Sequence, residues 1–411
     1  MLSTDAMCFT CEMVAPKKPG PLGLAGASEL FQLLRDGEPR TRAELATATG
    51  LARSTVGLRL DVLLDLGLIR PIGDGVSSGG RPPSQVALDP SARVVVGADL
   101  GATHATIAVA DLSGAILRTH RDALPITDGP ERVLTWVIDE TRSLLAEVGH
   151  SEADLLAIGM GLPGPVEHDT GRPVNPPIMP GWDGFDVPGW ILDTLGVPAL
   201  VDNDVNIMAI GEQARSFPDV ADLLFVKVAT GIGSGIISGG LLQRGAQGSA
   251  GDIGHVRIER GTGVACHCGN FGCLEAMASG PAIARQLREE GVDVDTMSDV
   301  IDLLRRNDLR AIGAVRQAGR DIGEVLAMCV SLLNPSVIVL GGSVTRAGEH
   351  LLAGVREVVY QSSTPLAAQH LSVVQSHTAE NAAVIGACIL ALQFALSPQA
   401  IERMSAAGSA A

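Results

Sequence analysis

Four side chains in one short stretch constrain this chain more than any other feature. His255 closes a Gly-Asp-Ile-Gly-His turn, and Cys266, Cys268 and Cys273 follow within Cys-His-Cys-Gly-Asn-Phe-Gly-Cys. One imidazole and three thiolates are a complete tetrahedral donor set for zinc, so the backbone between them has to double back until the four meet. Gly269 and Gly272 stand where such a reversal needs residues without a Cβ. Four protein donors leave no open position for an activated water, so the expected role of the metal is structural.

The chain has 411 residues, more than the about 250 to 300 that one hydrophobic core serves, and two or three domains are expected. Its seven cysteines show no disulfide framework outside the knuckle, which fits a reducing cytoplasm. A formal net charge of -16 argues against coating nucleic acid or anionic membrane with the whole surface. Residues 24–90 are different: seven arginines face eight acidic residues, so nearly all the excess acidity lies further along. The apolar run Ala382 to Leu396 is interrupted by Gly386 and Gln393 and is shorter than the roughly 20 residues of a bilayer span, so it reads as a buried helix. Residues 1–23 read as a disordered lead without a secretory signal, and Cys8 and Cys11 in it lack a second ligand pair.

Residues 24–90 carry the signals of a winged helix-turn-helix. Apolar residues recur at helical spacing from Ala27 to Leu34; Thr41 followed by Glu44 predicts a capped helix that ends at the Gly50 turn. A second helix opens at Ser54 with Val56, Leu60, Leu63 and Leu64 as its apolar stripe. Arg53, Ser54, Thr55 and Arg59 are the predicted phosphate and base contacts, at the end of the helix that enters a major groove. Two strands, after Leu68 and from Gln85 to Leu88, flank a Gly-Gly-Arg-Pro tip whose Arg81 suits a narrow, A·T-rich minor groove. A protein-interaction module with a polar hairpin is the competing reading of this segment.

The body repeats a strand, a glycine turn and a strand. Val94–Asp99 leads through Gly101 and Thr103 to Ala105–Ala110, and Leu223–Val228 leads through a turn from Ala229 to Gly235 into Ile236. With Gly341 and Gly342 after the strand Val337–Leu340, these turns suit backbone N–H groups that close on phosphate. Between the two hairpins, Val201-Asp202-Asn203-Asp204-Val205-Asn206 offers carboxylate and amide groups suited to a polyhydroxyl ligand.

With these residues in place, the chain resembles the ROK family (repressor, open reading frame, kinase), and within it the sugar-responsive regulators with an N-terminal winged helix. The resemblance runs from about Leu24 to the last helix and rests chiefly on Gly-x-His255 and the Cys266, Cys268, Cys273 pattern. It implies an α/β chain: a winged helix-turn-helix plus a two-lobed actin-like, ribonuclease H-like ATPase fold. The expected divisions are 24–90 for the DNA-binding domain, 92–205 with helix 380–397 for the first lobe, and 206–379 for the second lobe with the knuckle. Carried over by position, Asn203, Asp204, Asp252, His255 and Glu275 hold the sugar, and His255, Cys266, Cys268 and Cys273 hold structural Zn2+. If a nucleotide site is retained, Asp99, Gly101, Thr103, Thr230, Gly231, Gly233, Gly341 and Gly342 form it. Asp204 is then the catalytic base, with ATP and Mg2+ as cofactors.

Three positions depart from the family's pattern. Asp252 stands where the family has Glu, Ala102 where the first phosphate turn has its second Gly, and His104 where kinases often carry Lys or Asn. The expectation is a cytoplasmic, sugar-responsive transcriptional regulator of repressor type that controls carbohydrate genes without a membrane partner. It would act as a homodimer or homotetramer on a pseudo-palindromic operator. An ATP-dependent sugar kinase with an accessory DNA module is the main alternative, and a sugar-binding scaffold a weaker one. Few lysines (Lys17, Lys18 and Lys227) beside abundant arginine and alanine point to a GC-rich bacterial genome.

Overall fold

The structure, a computed structural model, describes residues 26–74 and 84–408. The expected lead with Cys8 and Cys11, and the wing tip with Arg81, lie outside the described residues. The chain divides into two units, one formed by the residues up to Asp89 together with those from Ser397 onward, the other by Pro90–Leu396.

The first unit runs α1 (Ala27–Leu34), β1 (Arg40–Thr41), α2 (Arg42–Thr49), α3 (Arg53–Asp65), β2 (Ile69–Asp74) and β3 (Ser84–Leu88). Thr41 caps α2 as its spacing predicts: its hydroxyl accepts from the Glu44 N–H while the Glu44 carboxylate accepts from Thr41. Gly50, at φ 70°, ends the helix in the left-handed region that favours glycine. Leu30, Phe31, Leu34, Leu45, Val56, Leu60 and Leu63 are fully buried, and together they close the three helices on one core. Leu64, expected in the α3 stripe, is only half-buried. Strand β3 pairs antiparallel with both β1 and β2, so the helix-turn-helix is followed by the two arms of a wing.

The second unit begins with β4 (Val94–Leu100), β5 (Ala105–Asp111), β6 (Ile116–Asp122), α4 (Pro130–Glu147) and β7 (Leu155–Leu162). A small ribbon of β8 (Val166–Glu167) and β9 (Arg172–Pro173) leads to α5 (Val187–Leu195), β10 (Ala199–Asn203) and α6 (Asp204–Ser216). Next come β11 (Leu223–Val228), β12 (Ile232–Ser238), β13 (Leu241–Gln243), α7 (Leu274–Ala278), α8 (Gly280–Glu289), α9 (Met297–Arg305) and α10 (Leu309–Leu333). The unit closes with β14 (Val337–Gly341), α11 (Glu349–Ser362), α12 (Pro365–Ala368), β15 (Ser372–Gln375) and α13 (Ala382–Ala395).

Its two sheets share one plan. In the order β6-β5-β4-β7-β10, an antiparallel meander is extended by two parallel strands, and β13-β12-β11-β14-β15 repeats it. All seven residues of β4 are buried, as expected for a strand covered on both faces. On β11 the faces alternate: Leu224, Val226 and Val228 join the core beneath α10, whereas Leu223 and Phe225 join the one formed with α6 and α13. Lys227 therefore lies on the α6 side.

Helices α6 and α13 cross at glycines. A Cβ on Gly386 would stand 1.8 Å from the Ile207 carbonyl oxygen, and one on Gly211 would stand 2.0 Å from that of Ala382. Only residues lacking a side chain permit this approach. Glu212, fully buried on α6, fixes the loop after β15 by accepting from Ser376 Oγ at 2.6 Å, the His377 N–H at 2.9 Å and the Thr378 hydroxyl. Burial alone would raise its pKa, but the Ser376 and Thr378 hydroxyls and the His377 N–H outweigh it and hold the carboxyl below its ordinary range. A depressed folded-state pKa contributes stability above the unfolded value and loses it as pH falls through the folded one. Glu212→Gln is thus expected to cost about 1.5–3 kcal/mol at pH 7, and its deficit against wild type should shrink below about pH 4, as read by denaturant melts across pH.

Two expectations are corrected. The second glycine turn spans only 229–231, and Gly233 and Gly235 lie within β12. A Cβ on Gly235 would sit 2.5 Å from Ala209 Cβ, so that glycine lets α6 lie on the strand. The chain also extends past the expected last helix into α14 (Pro398–Gly408), which belongs to the first unit and packs on α1. There Ile401 is fully buried and Ser28 Oγ donates to Glu402 at 3.3 Å.

Candidate ligand site and metal knuckle

The predicted donors converge. Cys268 Sγ and Cys273 Sγ are 3.7 Å apart, Cys266 Sγ and His255 Nδ1 are 3.7 Å apart, and all four donor atoms lie within 4.8 Å of one another. Zinc–sulfur bonds of about 2.3 Å in a tetrahedron give sulfur–sulfur edges of about 3.7 Å, so the cluster has the dimensions of the ion it suits. The reversal is made as expected: Gly269, at φ 89°, donates its N–H to the Cys266 carbonyl, and Gly272, at φ 83°, donates to that of Val264. Burial first, then Cys268 and Cys266, push the Cys273 thiol up to about 12, whereas the Asn270 N–H, chiefly, lowers that of exposed Cys268. A thiol so crowded ionises readily only beside a cation, which is what a metal supplies.

Three attachments connect this knuckle to its surroundings. Arg260 donates from Nε to Asp321 Oδ1 at 2.9 Å and pairs through Nη2 with Oδ2, while Gln317 Nε2 donates to Oδ1 at 3.0 Å; Asp321 is fully buried on α10. His255 turns Nδ1 to the thiols and Nε2 toward exposed Asp252, 3.9 Å from Oδ1. Glu275, two residues past Cys273, accepts from the Ile232 N–H at 3.0 Å beside Gly231. The expected sugar ligands His255 and Glu275 are thereby fixed by the same loop that gathers the thiols.

Asn203 and Asp204 stand where β10 enters α6. Asn203 caps the helix, its Oδ1 accepting from the Val205 N–H at 3.0 Å and its Nδ2 donating to the Gly164 carbonyl at 3.0 Å. Asp204 is buried and forms an ion pair with Lys227 of β11. Burial is the largest influence on Lys227 and works against its charge, but the carboxylates of Asp204 and Asp99 outweigh it and hold the ammonium above its ordinary range. Asp99 also faces His104, whose Nε2 is 3.8 Å from Oδ2 and whose ring lies over Gly101. Thr103 and Thr230 are exposed on their turns; Gly341 ends β14 and Gly342, at φ 91°, follows it.

Sequence reasoning missed several of these groups. Lys227 gave no signal beyond being one polar residue in an apolar strand. Arg244 donates from Nε to buried Asp202 at 2.7 Å, and Asp202 also accepts from Asn206 Nδ2 at 2.7 Å, so the residue before Asn203 is itself held rigidly. In the first unit, Arg53 and Ser54 are exposed and Thr55 is half-exposed at the start of α3. Arg59 departs from expectation: one turn further on, its guanidinium points to α1 and pairs with Glu29 at 3.2 Å, leaving 15% of its side chain exposed. Arg42 at the start of α2, its guanidinium beside Gly57 of α3, is the more open cation.

A two-lobed α/β unit with a metal-type knuckle, joined to a winged helix-turn-helix, defines the class of protein. The profile described as the ROK family matches residues 95–394, and the chain belongs to that family. The xylose repressor of Bacillus subtilis is 28% identical over 358 residues, which cover 87% of this chain and 92% of that protein. A solved ROK family transcriptional regulator, described as a homolog of the E. coli MLC protein, superposes with a TM-score of 0.79 at 25% identity, covering 93% of this chain and 98% of that one. The glucokinase of Halalkalibacterium halodurans is 32% identical over 312 residues, 72% of this chain and 94% of that enzyme. The likeness that includes the front unit is thus to the family's transcriptional repressors, while kinases match the ROK core alone.

Proposed function

We propose that this chain is a sugar-responsive transcriptional repressor of a bacterial cytoplasm. Its knuckle holds structural zinc through His255, Cys266, Cys268 and Cys273. Asn203, Asp204, Asp252, His255 and Glu275 bind sugar hydroxyls. The observation that carries this reading is the helix-turn-helix unit, which stands in front of the ROK core in this chain and falls within the length shared with repressors. The sugar acts by binding two arrangements of the protein with different affinity; a coupling of about 1–3 kcal/mol gives a roughly 5- to 150-fold change in operator affinity.

Reading an operator with two half-sites requires two copies of the front unit at a spacing of whole helical turns. A homodimer, alone or paired into a tetramer, supplies them, with exposed Met328 and Leu332 of α10 and Tyr360 of α11 as the apolar surface for a second copy. The DNA contacts are Arg53, Ser54 and Thr55 at the start of α3, joined by Arg42 and by Arg81 of the wing. Arg53→Ala is expected to weaken operator binding by about 1–3 kcal/mol in a fluorescence titration at fixed salt. Arg59→Ala should instead lower the melting temperature and change operator affinity little; loss of affinity without loss of stability in that variant refutes the inward assignment.

A further inference from the structure

Lys227 is the penultimate residue of β11 as Asp99 is of β4, the first strands of the two repeated sheets. Its ammonium pairs with Asp204 at the start of α6, and the negative charge of Asp99 adds to the field that favours it. The pair is sequestered, with 24% of the Lys227 side chain and 5% of that of Asp204 exposed. Chain composition adds an independent observation. Lys17 and Lys18 stand in the lead, and Lys227 is the third and last lysine of a chain whose other 27 strong cations are arginines. A lysine ammonium is a compact point charge, where arginine would bring a broad planar fork with five donors to satisfy.

Transfer of a phosphoryl group to a sugar has two local requirements. The attacking hydroxyl gives its proton to a carboxylate as the new P–O bond forms and the bond to the nucleoside diphosphate oxygen breaks, and a divalent cation held by carboxylate oxygen neutralises the phosphates. Here the carboxylate at the base position already receives a cation, and that same charge repels a metal ion from Asp99 and Asp204. His104, its ring over Gly101 and its Nε2 toward Asp99, further crowds the approach of phosphate to the first turn.

We propose that Lys227 is a built-in cation that occupies the proton acceptor Asp204 and by its charge disfavours a metal ion beside it, so that the pocket holds its sugar without phosphorylating it. This rests on Asp204 being a sugar-facing carboxylate, as proposed above.

The test is Mn2+ binding to the full-length, zinc-loaded chain, followed by electron paramagnetic resonance with and without a non-hydrolysable ATP analogue. Wild type should show no saturable Mn2+ beyond that of a Lys227→Met/Asp99→Asn/Asp204→Asn control, in which charge and metal oxygens are removed together and packing is retained. Lys227→Met should gain one site at least about tenfold tighter, as expected when a like charge is removed from beside the Asp204 carboxylate. Wild type binding Mn2+ as tightly as Lys227→Met, or Mn2+ with the ATP analogue more tightly, overturns the proposal. If Lys227→Met does not fold, the wild-type arm still decides: saturable Mn2+ above the control, or ADP release with any sugar, overturns the proposal, and the absence of both supports it. Sugar affinity, measured separately by calorimetry, tests the underlying reading: a sugar bound alongside an Mn2+ result against Lys227 defeats this inference alone.

Discussion

Cys273→Ser is expected to abolish zinc binding and to lower the melting temperature of the ROK core by roughly 6–20 °C. Structural zinc contributes apparent free energies of about 10–16 kcal/mol in small isolated modules. Less is expected here, because Arg260 and Asp321 anchor the knuckle without the metal and the surrounding core is large. A loss of about 3–5 kcal/mol corresponds to that shift at roughly 2–4 °C per kcal/mol for units of a few hundred residues. Cys273 is the informative position because it is buried and sits at the start of α7, one residue before the Leu274 core contact and two before Glu275. Without the fourth donor the loop should relax, His255 should lose its orientation, and Glu275 should be freed from the Ile232 N–H. Sugar affinity should therefore fall further than operator affinity. Metal content by plasma mass spectrometry and melts of the same preparation check this, and a full equivalent of zinc or an unchanged melt in the variant contradicts it.

Gly386→Val is the second large effect, and here the cause is backbone contact. The added Cβ would meet the Ile207 carbonyl oxygen at 1.8 Å and the Gly211 nitrogen at 3.0 Å, so α6 and α13 have to separate. These helices join the core of the second sheet, and α13 also packs on the first, with Gly159 brought close to the Ala387 carbonyl. Overpacking of a dense core costs about 1–3 kcal/mol, and more where the obstacle is main chain; at least about 4 kcal/mol is expected, as read by denaturant unfolding. The same substitution at Gly313, where an added Cβ meets nothing within 4 Å, should cost nothing and add up to about 0.5 kcal/mol, since valine ranks above glycine as a helix former. Equal losses at the two sites would mean that the crossing is looser than described.

The elements legible in the sequence were those whose determinants lie close together along the chain. The Thr41 and Glu44 capping box, the Gly50 turn, the paired strands at Val94 and Leu223 and the convergence of the four metal donors all depend on residues within a few turns of each other. Long-range contacts were less visible. Arg59 reads as a groove-facing cation until α1 brings Glu29 beside it, and Lys227 reads as a chance polar residue until α6 presents Asp204. Gly233 and Gly235 carry the same composition whether they close a turn or admit a helix, and only the position of α6 settles which. The return of α14 to α1 depends on amphipathic burial between the two ends of the chain, which no local spacing signals.

A sugar bound in the ROK core is expected to change how the front unit holds DNA. The direct measurement is the operator dissociation constant of the purified full-length protein at fixed salt, taken with and without each member of a panel of pentoses, hexoses and amino sugars. At least one sugar should shift it by about 5- to 150-fold, and Cys268→Ser should reduce this shift before it abolishes DNA binding. A chain that binds its operator with one unvarying affinity across the whole panel, although calorimetry shows a sugar bound, would contradict it.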